Sequence, residues 1–284
     1  MDSVLFQAIR LLPRRQLTRL LGSLAAMRVA PAARGTLYGA FASAVGANLE
    51  EAELPIASYE SFDSFFTRRL KQGLRLWEAS EQGAGMPCDG RLDQLGRVRD
   101  GKLIQAKGME FGPQGLLGIE NPIAWANDAW FVTIYLSPAD YHRVHMPASG
   151  RVTELRRMGG ELWPVNALSV RQVDRLFEVN ERLSAQFTLA DGRRAAMVMV
   201  AATVVGGIAL APPLPPVEGA GAIWQSPDAP ISLAANDEFG TFHIGSTVVM
   251  MFEDAEQLWE PAPGAVVGEK VRLGEPLFRL RARL

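Results

Sequence analysis

Hydrophobic positions recur at helical spacing over the first part of the chain and change to strand-like alternation near residue 86. Leu5, Phe6, Ile9 and Leu12, then Leu17, Leu20, Leu21 and Leu24, are separated by arginines, which predicts helix over residues 3–29 with a break or kink at Pro13. A second helix is predicted from about Gly35 to Val45. A third falls in SYESFDSFFTRRLKQGL, where Ser58 or Ser61 supplies a cap and Phe65, Phe66 and Leu70 an apolar face.

Beyond residue 86, short alternating runs are punctuated by Asp89-Gly90, Asp100-Gly101, Gly159-Gly160 and Asp191-Gly192, all hairpin-type dipeptides. The longest apolar run, Ala195–Ala211, is at the short edge of membrane-spanning length. Its β-branched residues and its Gly206-Gly207 pair favour two buried strands, or one bulged strand, over a spanning helix. The Pro- and Gly-rich stretch APPLPPVEGAGA, residues 211–222, is expected as a surface loop. The fold class is therefore α+β, with a helical region over residues 1–75 and a β-rich body over residues 76–284.

With 284 residues, 48% of them hydrophobic, the chain can bury a sizeable core. A net charge of −2 gives no global argument for nucleic acid, yet the first forty residues carry Arg10, Arg14, Arg15, Arg19, Arg28 and Arg34 against Asp2 alone. That N-terminus fits a helical hairpin docked on its own β body with a solvated arginine face. It equally fits an interfacial anchor, with leucines and Phe6 in the acyl boundary and arginines on anionic headgroups. Cys88, the only cysteine, excludes an internal disulfide and any cysteine-built metal site, and fits a reducing compartment. Arginines interrupt the N-terminal apolar residues, so no cleavable signal peptide is visible.

Of the three histidines, His142 and His145 lie together in YLSPADYHRVHMPASG, and His243 stands alone. The pair suits proton transfer near neutrality. It also has the spacing of a metal half-site, but only Asp140 is adjacent, so no metal is expected; two loop histidines satisfied by hydrogen bonds are the bland alternative. Asp89-Gly90 in PCDGRLDQLG reads by itself as a turn, and Gly245-Ser246-Thr247 in FGTFHIGSTVVMMFE as a strand with a small start. Together, Asp89, the histidine pair and Ser246 supply an acid to orient, an imidazole to accept a proton and a hydroxyl to attack. Ser246 does not lie in a G-x-S-x-G elbow, which disfavours the usual esterase arrangement.

These residues sit in segments that resemble the phosphatidylserine decarboxylase proenzymes of bacterial and mitochondrial type, a pyruvoyl-dependent family. SFDSFFTRRL, MPCDGRLDQLG, LIQAKG, TIYLSPADYHRVHMPASGRV, PVN, NER and FHIGSTVVMMF occur in family order and cover most of the chain. The long YLSPADYHRVHMP block with a downstream G-S-T is the specific part. The resemblance implies that Ser246 attacks the carbonyl of Gly245, and that the resulting ester is resolved by β-elimination and hydrolysis to a pyruvoyl group with loss of ammonia. A β chain of residues 1–245 and an α chain of residues 246–284 would remain associated, and further dimerisation is a family-level expectation.

The resemblance further implies that Asp89 orients His145 and that His145 deprotonates Ser246. His142 is the candidate for proton transfer in decarboxylation or for headgroup positioning, and Tyr135 and Thr247 are candidate pocket residues. Phosphatidylserine would be decarboxylated to phosphatidylethanolamine and CO₂ through a Schiff base to the covalent pyruvoyl, on the cytoplasmic side of the cell membrane as a peripheral protein. His243, where many bacterial relatives have lysine, is expected on a strand surface, and Cys88 is not expected to be reactive. Two rivals are a serine hydrolase acting on lipid esters with Asp89, His145 and Ser246, and a biotinyl/lipoyl-like carrier. The latter is suggested by the glycine-spaced turns of PAPGAVVGEKVRLGEPLFRL, which also imply barrel-sandwich-like hairpins, but no lysine stands at a carrier tip.

Overall fold

The computed structural model describes residues 13–106, 109–203, 207–243 and 246–281. The predicted helix over residues 3–12, Gly206 of the long apolar run and Gly245 of the expected cleavage site lie outside the described residues. Pro13 precedes helix α1 (Arg14–Ala26), as a residue lacking an N–H is tolerated only at a helix start. Helix α2 (Pro31–Val45) begins at a proline and ends on Gly46, whose φ of 78° closes it in the left-handed region.

Helix α3 (Phe62–Phe66) is shorter than the sequence predicts. Ser61 is its cap: the Ser64 amide donates to Ser61 Oγ at 3.1 Å and Ser64 Oγ accepts from the Ser61 amide at 3.1 Å. Ser58 ends a separate short 3-10 turn, and Leu70 lies past the helix, bridged to Ala52. At its end the Thr67 Oγ1 donates to the Asp63 carbonyl at 2.8 Å, beside the Thr67 amide, which donates to the same carbonyl at 2.9 Å. Tyr38, Ala42, Tyr59 and Phe65 form a core of their own, with Tyr38 stacked on Phe65 at 4.8 Å between ring centroids.

The strands in chain order are β1 (Ala84–Gly85), β2 (Gly90–Arg97), β3 (Leu103–Ala106), β4 (Met109–Phe111), β5 (Trp130–Leu136), β6 (Arg143–His145), β7 (Gly150–Met158), β8 (Arg182–Leu189) and β9 (Arg194–Ala201). They continue as β10 (Gly207–Leu210), β11 (Ile223–Gln225), β12 (Ile231–Leu233), β13 (Glu238–His243), β14 (Ser246–Phe252), β15 (Trp259–Pro261), β16 (Lys270–Val271) and β17 (Pro276–Leu280).

A nine-stranded antiparallel sheet forms the body, in the order β11-β7-β8-β9-β14-β5-β2-β16 with β12 also on β7. Its outermost strands do not meet, so it is an open sheet rather than a barrel-sandwich. The glycine-spaced C-terminal stretch, which suggested barrel-sandwich hairpins, instead splits between β16 on β2 and a small sheet β1-β17-β15. The run Ala195–Ala211 supplies two strands in different sheets: β9 in the body, and β10 in a small sheet β10-β13-β6.

Strand β14 is central. It pairs with β5 on one side and β9 on the other over all seven residues, and every one of them is buried. A strand covered on both faces must be apolar throughout, which accounts for the unbroken Val248–Phe252 run. Each of those side chains contributes about 1.5–3 kcal/mol by burial. Asp100-Gly101 and Asp191-Gly192 make tight turns with positive φ at Asp100, Gly101 and Gly192, whereas Asp89-Gly90 does not close a hairpin and instead leads into β2.

Gly90 is required by close approach: a Cβ there would lie 2.5 Å from the Tyr135 carbonyl oxygen on β5. Gly90→Ala should therefore push β2 from β5 and lower the unfolding free energy by about 1–3 kcal/mol, the usual range for overpacking. Urea denaturation checks this, and an unchanged midpoint would contradict it.

Candidate active site

Ser246 opens β14 opposite Leu136 of β5 and Ala201 of β9. It is fully buried, and its Oγ has no hydrogen-bond partner among the described residues. A buried hydroxyl normally has one, so its absence marks a group held in place by backbone pairing alone. Side chains alternate along a strand. Thr247 and Tyr135 are directly paired, so they share the face of the sheet opposite to Ser246. Tyr135 lies under the Arg91 guanidinium at 5.6 Å, and burial pushes its phenol pKa up. These two candidate pocket residues are thus not on the side to which Ser246 points.

His142 is tied to the Ser246 neighbourhood from two directions. The Phe242 amide, four residues before Ser246, donates to the His142 carbonyl at 2.9 Å. Its Nε2 contacts the carbonyl of Ser137 at 3.0 Å, and Ser137 follows Leu136, the strand partner of Ser246. A carbonyl only accepts, so Nε2 carries the proton and Nδ1 presents a lone pair. That Nδ1 is buried and unpartnered. Burial, reinforced by the Arg68 charge and opposed by the Ser137 carbonyl, pushes the His142 pKa down to about 3.

His145 ends β6. Its Nδ1–H donates to the Asn236 carbonyl at 2.7 Å, which leaves the Nε2 lone pair facing Tyr141, whose hydroxyl stands 3.4 Å away. Burial also lowers the His145 pKa, against the raising influence of the Asn236 carbonyl and the Glu238 carboxylate. Both histidines are therefore neutral bases with a fixed tautomer.

Asp89 is not hydrogen-bonded to His145. Its carboxylate receives Arg75 Nε at 2.8 Å, Arg75 Nη2 at 2.5 Å and the Leu273 amide at 2.9 Å. Arg75 also reaches Glu51 at 2.8 Å, and the Asp89 hydrogen bond, more than any other influence, raises its pKa. The segment that carries Asp89 does touch His145, through the backbone: the His145 amide donates to the Pro87 carbonyl at 2.8 Å. Cys88 between them is fully buried, and burial pushes its thiol well up, away from thiolate reactivity.

Helix α3 covers the histidine loop. Phe66 packs on the His142 ring at 4.1 Å between centroids, and Asp63 accepts from His243 Nδ1 at 2.7 Å. His243 is thus a half-buried partner of α3 rather than a free strand-surface residue. A cavity of about 1070 Å³ opens beside the site between α1 and the body, lined in part by Arg15, Arg19, Arg157, Ala201 and Gly207. Ala201 and Gly207 are the strand partners of Ser246 and His243.

The sequence of the chain matches known proteins. A family model described as phosphatidylserine decarboxylase aligns with residues 62–279. The chain belongs to the phosphatidylserine decarboxylase family. A relative from Anaeromyxobacter sp. (strain K), named phosphatidylserine decarboxylase proenzyme, is 38% identical over 97% of this chain and 98% of its own. Relatives of the same name from Acinetobacter baumannii (strain SDF) and Pseudoalteromonas atlantica are each 38% identical over 89% of this chain, and over 89% and 90% of their own lengths.

Within this family member, several functional neighbours escaped sequence reasoning. Arg75, Asn236, Ser137, Tyr141, Phe66 and Asp63 each fix a candidate residue. The family-like segments SFDSFFTRRL and TIYLSPADYHRVHMPASGRV contain Asp63, Phe66, Ser137 and Tyr141 without site roles, whereas Arg75 and Asn236 lie in none of those segments. Among the described residues, no three His, Cys, Asp or Glu side chains gather as a metal site.

The two depressed histidines set a pH dependence. The unfolded chain binds protons at the ordinary value of 6.5 while folded His142 resists until about 3. Stability is therefore full above about 6.5 and is lost progressively as pH falls toward 3. Thermal unfolding followed from pH 7.5 to pH 5 should show a falling midpoint, with a shallower fall in His142→Gln; identical slopes would contradict the assignment.

Proposed function

We propose that this chain severs itself between Gly245 and Ser246 and then decarboxylates phosphatidylserine to phosphatidylethanolamine and CO₂. The observation that carries this reading is the fully buried, unpartnered Ser246 Oγ at the first position of a strand paired on both sides. A residue held so firmly by its own downstream backbone stays in place when the upstream peptide bond is broken.

The same position fits a covalent pyruvoyl. The Ser246 Oγ gives up no hydrogen bond among the described residues on conversion, and the chain from Thr247 onward remains fixed by β5 and β9. The group supplies an electron-accepting carbonyl, the sink that cleavage of a Cα–CO₂ bond requires. The residues of the chain do the rest. Ser246 Oγ adds to the carbonyl of residue 245 while His145 Nε2 takes its proton, the tautomer being set by the Asn236 carbonyl. Asp89 acts on His145 through the backbone: clamped by Arg75, it anchors the Pro87 carbonyl that holds the His145 amide. His142, neutral in the free chain, positions the headgroup and gains a proton to deliver only when substrate anions offset the Arg68 charge.

The substrate lives in a bilayer, and among the described residues no helix is long and apolar enough to cross one. Exposed Leu20, Leu24 and Met27 recur along one side of α1, the arrangement expected of a helix lying at an interface. Some N-terminal arginines serve docking instead: Arg14 bonds Glu161 and stacks on Trp163, and Arg15 bonds the Gly160 carbonyl at 2.8 Å. Peripheral attachment through α1, with the cavity beside Ala201 as the headgroup route, is therefore part of the proposal.

Three measurements test it. Purified protein should convert phosphatidylserine to phosphatidylethanolamine; no conversion by the processed chains would sink the reading. His145→Ala should block self-cleavage on a gel, whereas His142→Ala should cleave yet lose about a hundredfold or more in kcat, the lower range for removing an acid–base group; normal cleavage in both would overturn the division of roles. Replacing Leu20, Leu24 and Met27 by serine should release the protein from anionic liposomes in flotation, and unchanged flotation would remove α1 as the anchor.

A further inference from the structure

Arg68 follows α3 and is 3% exposed, yet its guanidinium is scarcely used. Its Nε and Nη1 have no partner among the described residues, and its Nη2 reaches only the Ala139 carbonyl, at 3.4 Å. The Phe65 ring lies 5.4 Å away. Other buried arginines of this chain are treated differently. Arg182, 6% exposed, donates to the carbonyls of Leu116, Gly115, Asn180 and Glu178, and Arg75 is taken up by Asp89 and Glu51. Burying a guanidinium costs several kcal/mol unless hydrogen bonds and counter-charge offset it. A fold that saturates two such groups and leaves a third open has left it open for something outside the chain.

The surroundings say what that is. Ala139 lies in the same short loop as Ser137, which fixes the His142 ring, and Phe66, two residues before Arg68, packs on that ring. Around this loop the unpartnered buried atoms include Arg68 Nε and Nη1, His142 Nδ1 and, on the adjoining strand, Ser246 Oγ. The first two are donors of a fixed cation and call for an anion. The headgroup of phosphatidylserine offers two anions, and they are not equivalent. Its carboxylate loses its charge as CO₂ departs, so a cation paired with it would stabilise the ground state more than the transition state and slow the reaction. Its phosphodiester keeps its charge throughout, so a cation there gives binding without a penalty on the chemical step.

Resting on the decarboxylase reading, we infer that Arg68 binds the phosphodiester of the substrate headgroup and so places the serine moiety against His142 and position 246. Arg68 is thus a binding residue for substrate: in the free chain Glu51, Asp89 and Asp140 act on its charge only from a distance, and its Nε and Nη1 stay open until the phosphodiester arrives.

The test uses processed enzyme and short-chain phosphatidylserine. Arg68→Gln should raise KM about tenfold or more with kcat within about threefold, since a charge-assisted pair present in ground and transition states alike is lost. Arg68→Lys should recover part of that affinity and, if Arg68→Gln does not self-cleave, should itself show a KM raised severalfold. Glycerophosphoethanolamine, which has the phosphodiester but no carboxylate, should inhibit competitively, with an inhibition constant that rises in step with KM. A KM unchanged in both variants, or a fall in kcat alone, overturns the inference. A raised KM with an unchanged inhibition constant assigns Arg68 to the carboxylate and overturns it equally. Absence of decarboxylation by the wild-type enzyme would instead sink the underlying reading.

Discussion

The two-sided pairing of β14 is the constraint on which the site depends. Seven residues are locked in register with β5 and β9, and a slip by one position would turn Ser246 to the opposite face and bring Thr247 to its place. The apolar Val248–Phe252 run makes that slip costly, because every residue of β14 is already buried. The hydrophobic core thus fixes the position of one hydroxyl, and does so without any hydrogen bond to the hydroxyl itself among the described residues.

The surroundings of the two histidines keep both of them neutral. Burial does most of it, and α3 deepens it by laying Phe66 on His142. The acidic side chain expected to serve His145 is instead neutralised by Arg75, which leaves a backbone carbonyl to set the imidazole tautomer. A carbonyl does this without adding a negative charge that would raise the histidine pKa as strongly as a carboxylate does. Both histidines are therefore unprotonated at neutral pH, and the Arg68 charge lies close enough to His142 to help keep it so.

Much of the scaffold was legible in the sequence because it rests on local signals. The helix start after Pro13, the Ser61 cap and the division of residues 195–211 into two strands follow from backbone chemistry and side-chain period. The role of Asp89-Gly90 was not legible locally. The dipeptide has the composition of a hairpin turn, but Gly90 is there because the Tyr135 carbonyl passes close by, and Asp89 because Arg75 needs a partner. Nothing in a sequence with 29 basic residues selects Arg75 as that partner, since the contact is set by tertiary packing. The facing of Tyr135 and Thr247 away from Ser246 was hidden for a related reason: alternation becomes informative only once the register is known.

The central claim is that Ser246 is severed from residue 245 and becomes the first group of a new chain. An intact-mass spectrum of the purified protein, taken without reduction of carbonyls and again after borohydride, tests it most directly. The account predicts two fragments, residues 1–245 and 246–284, the smaller one blocked to amine-reactive sequencing and shifted in mass by borohydride. A single 30.9 kDa species from protein that turns over phosphatidylserine would contradict it.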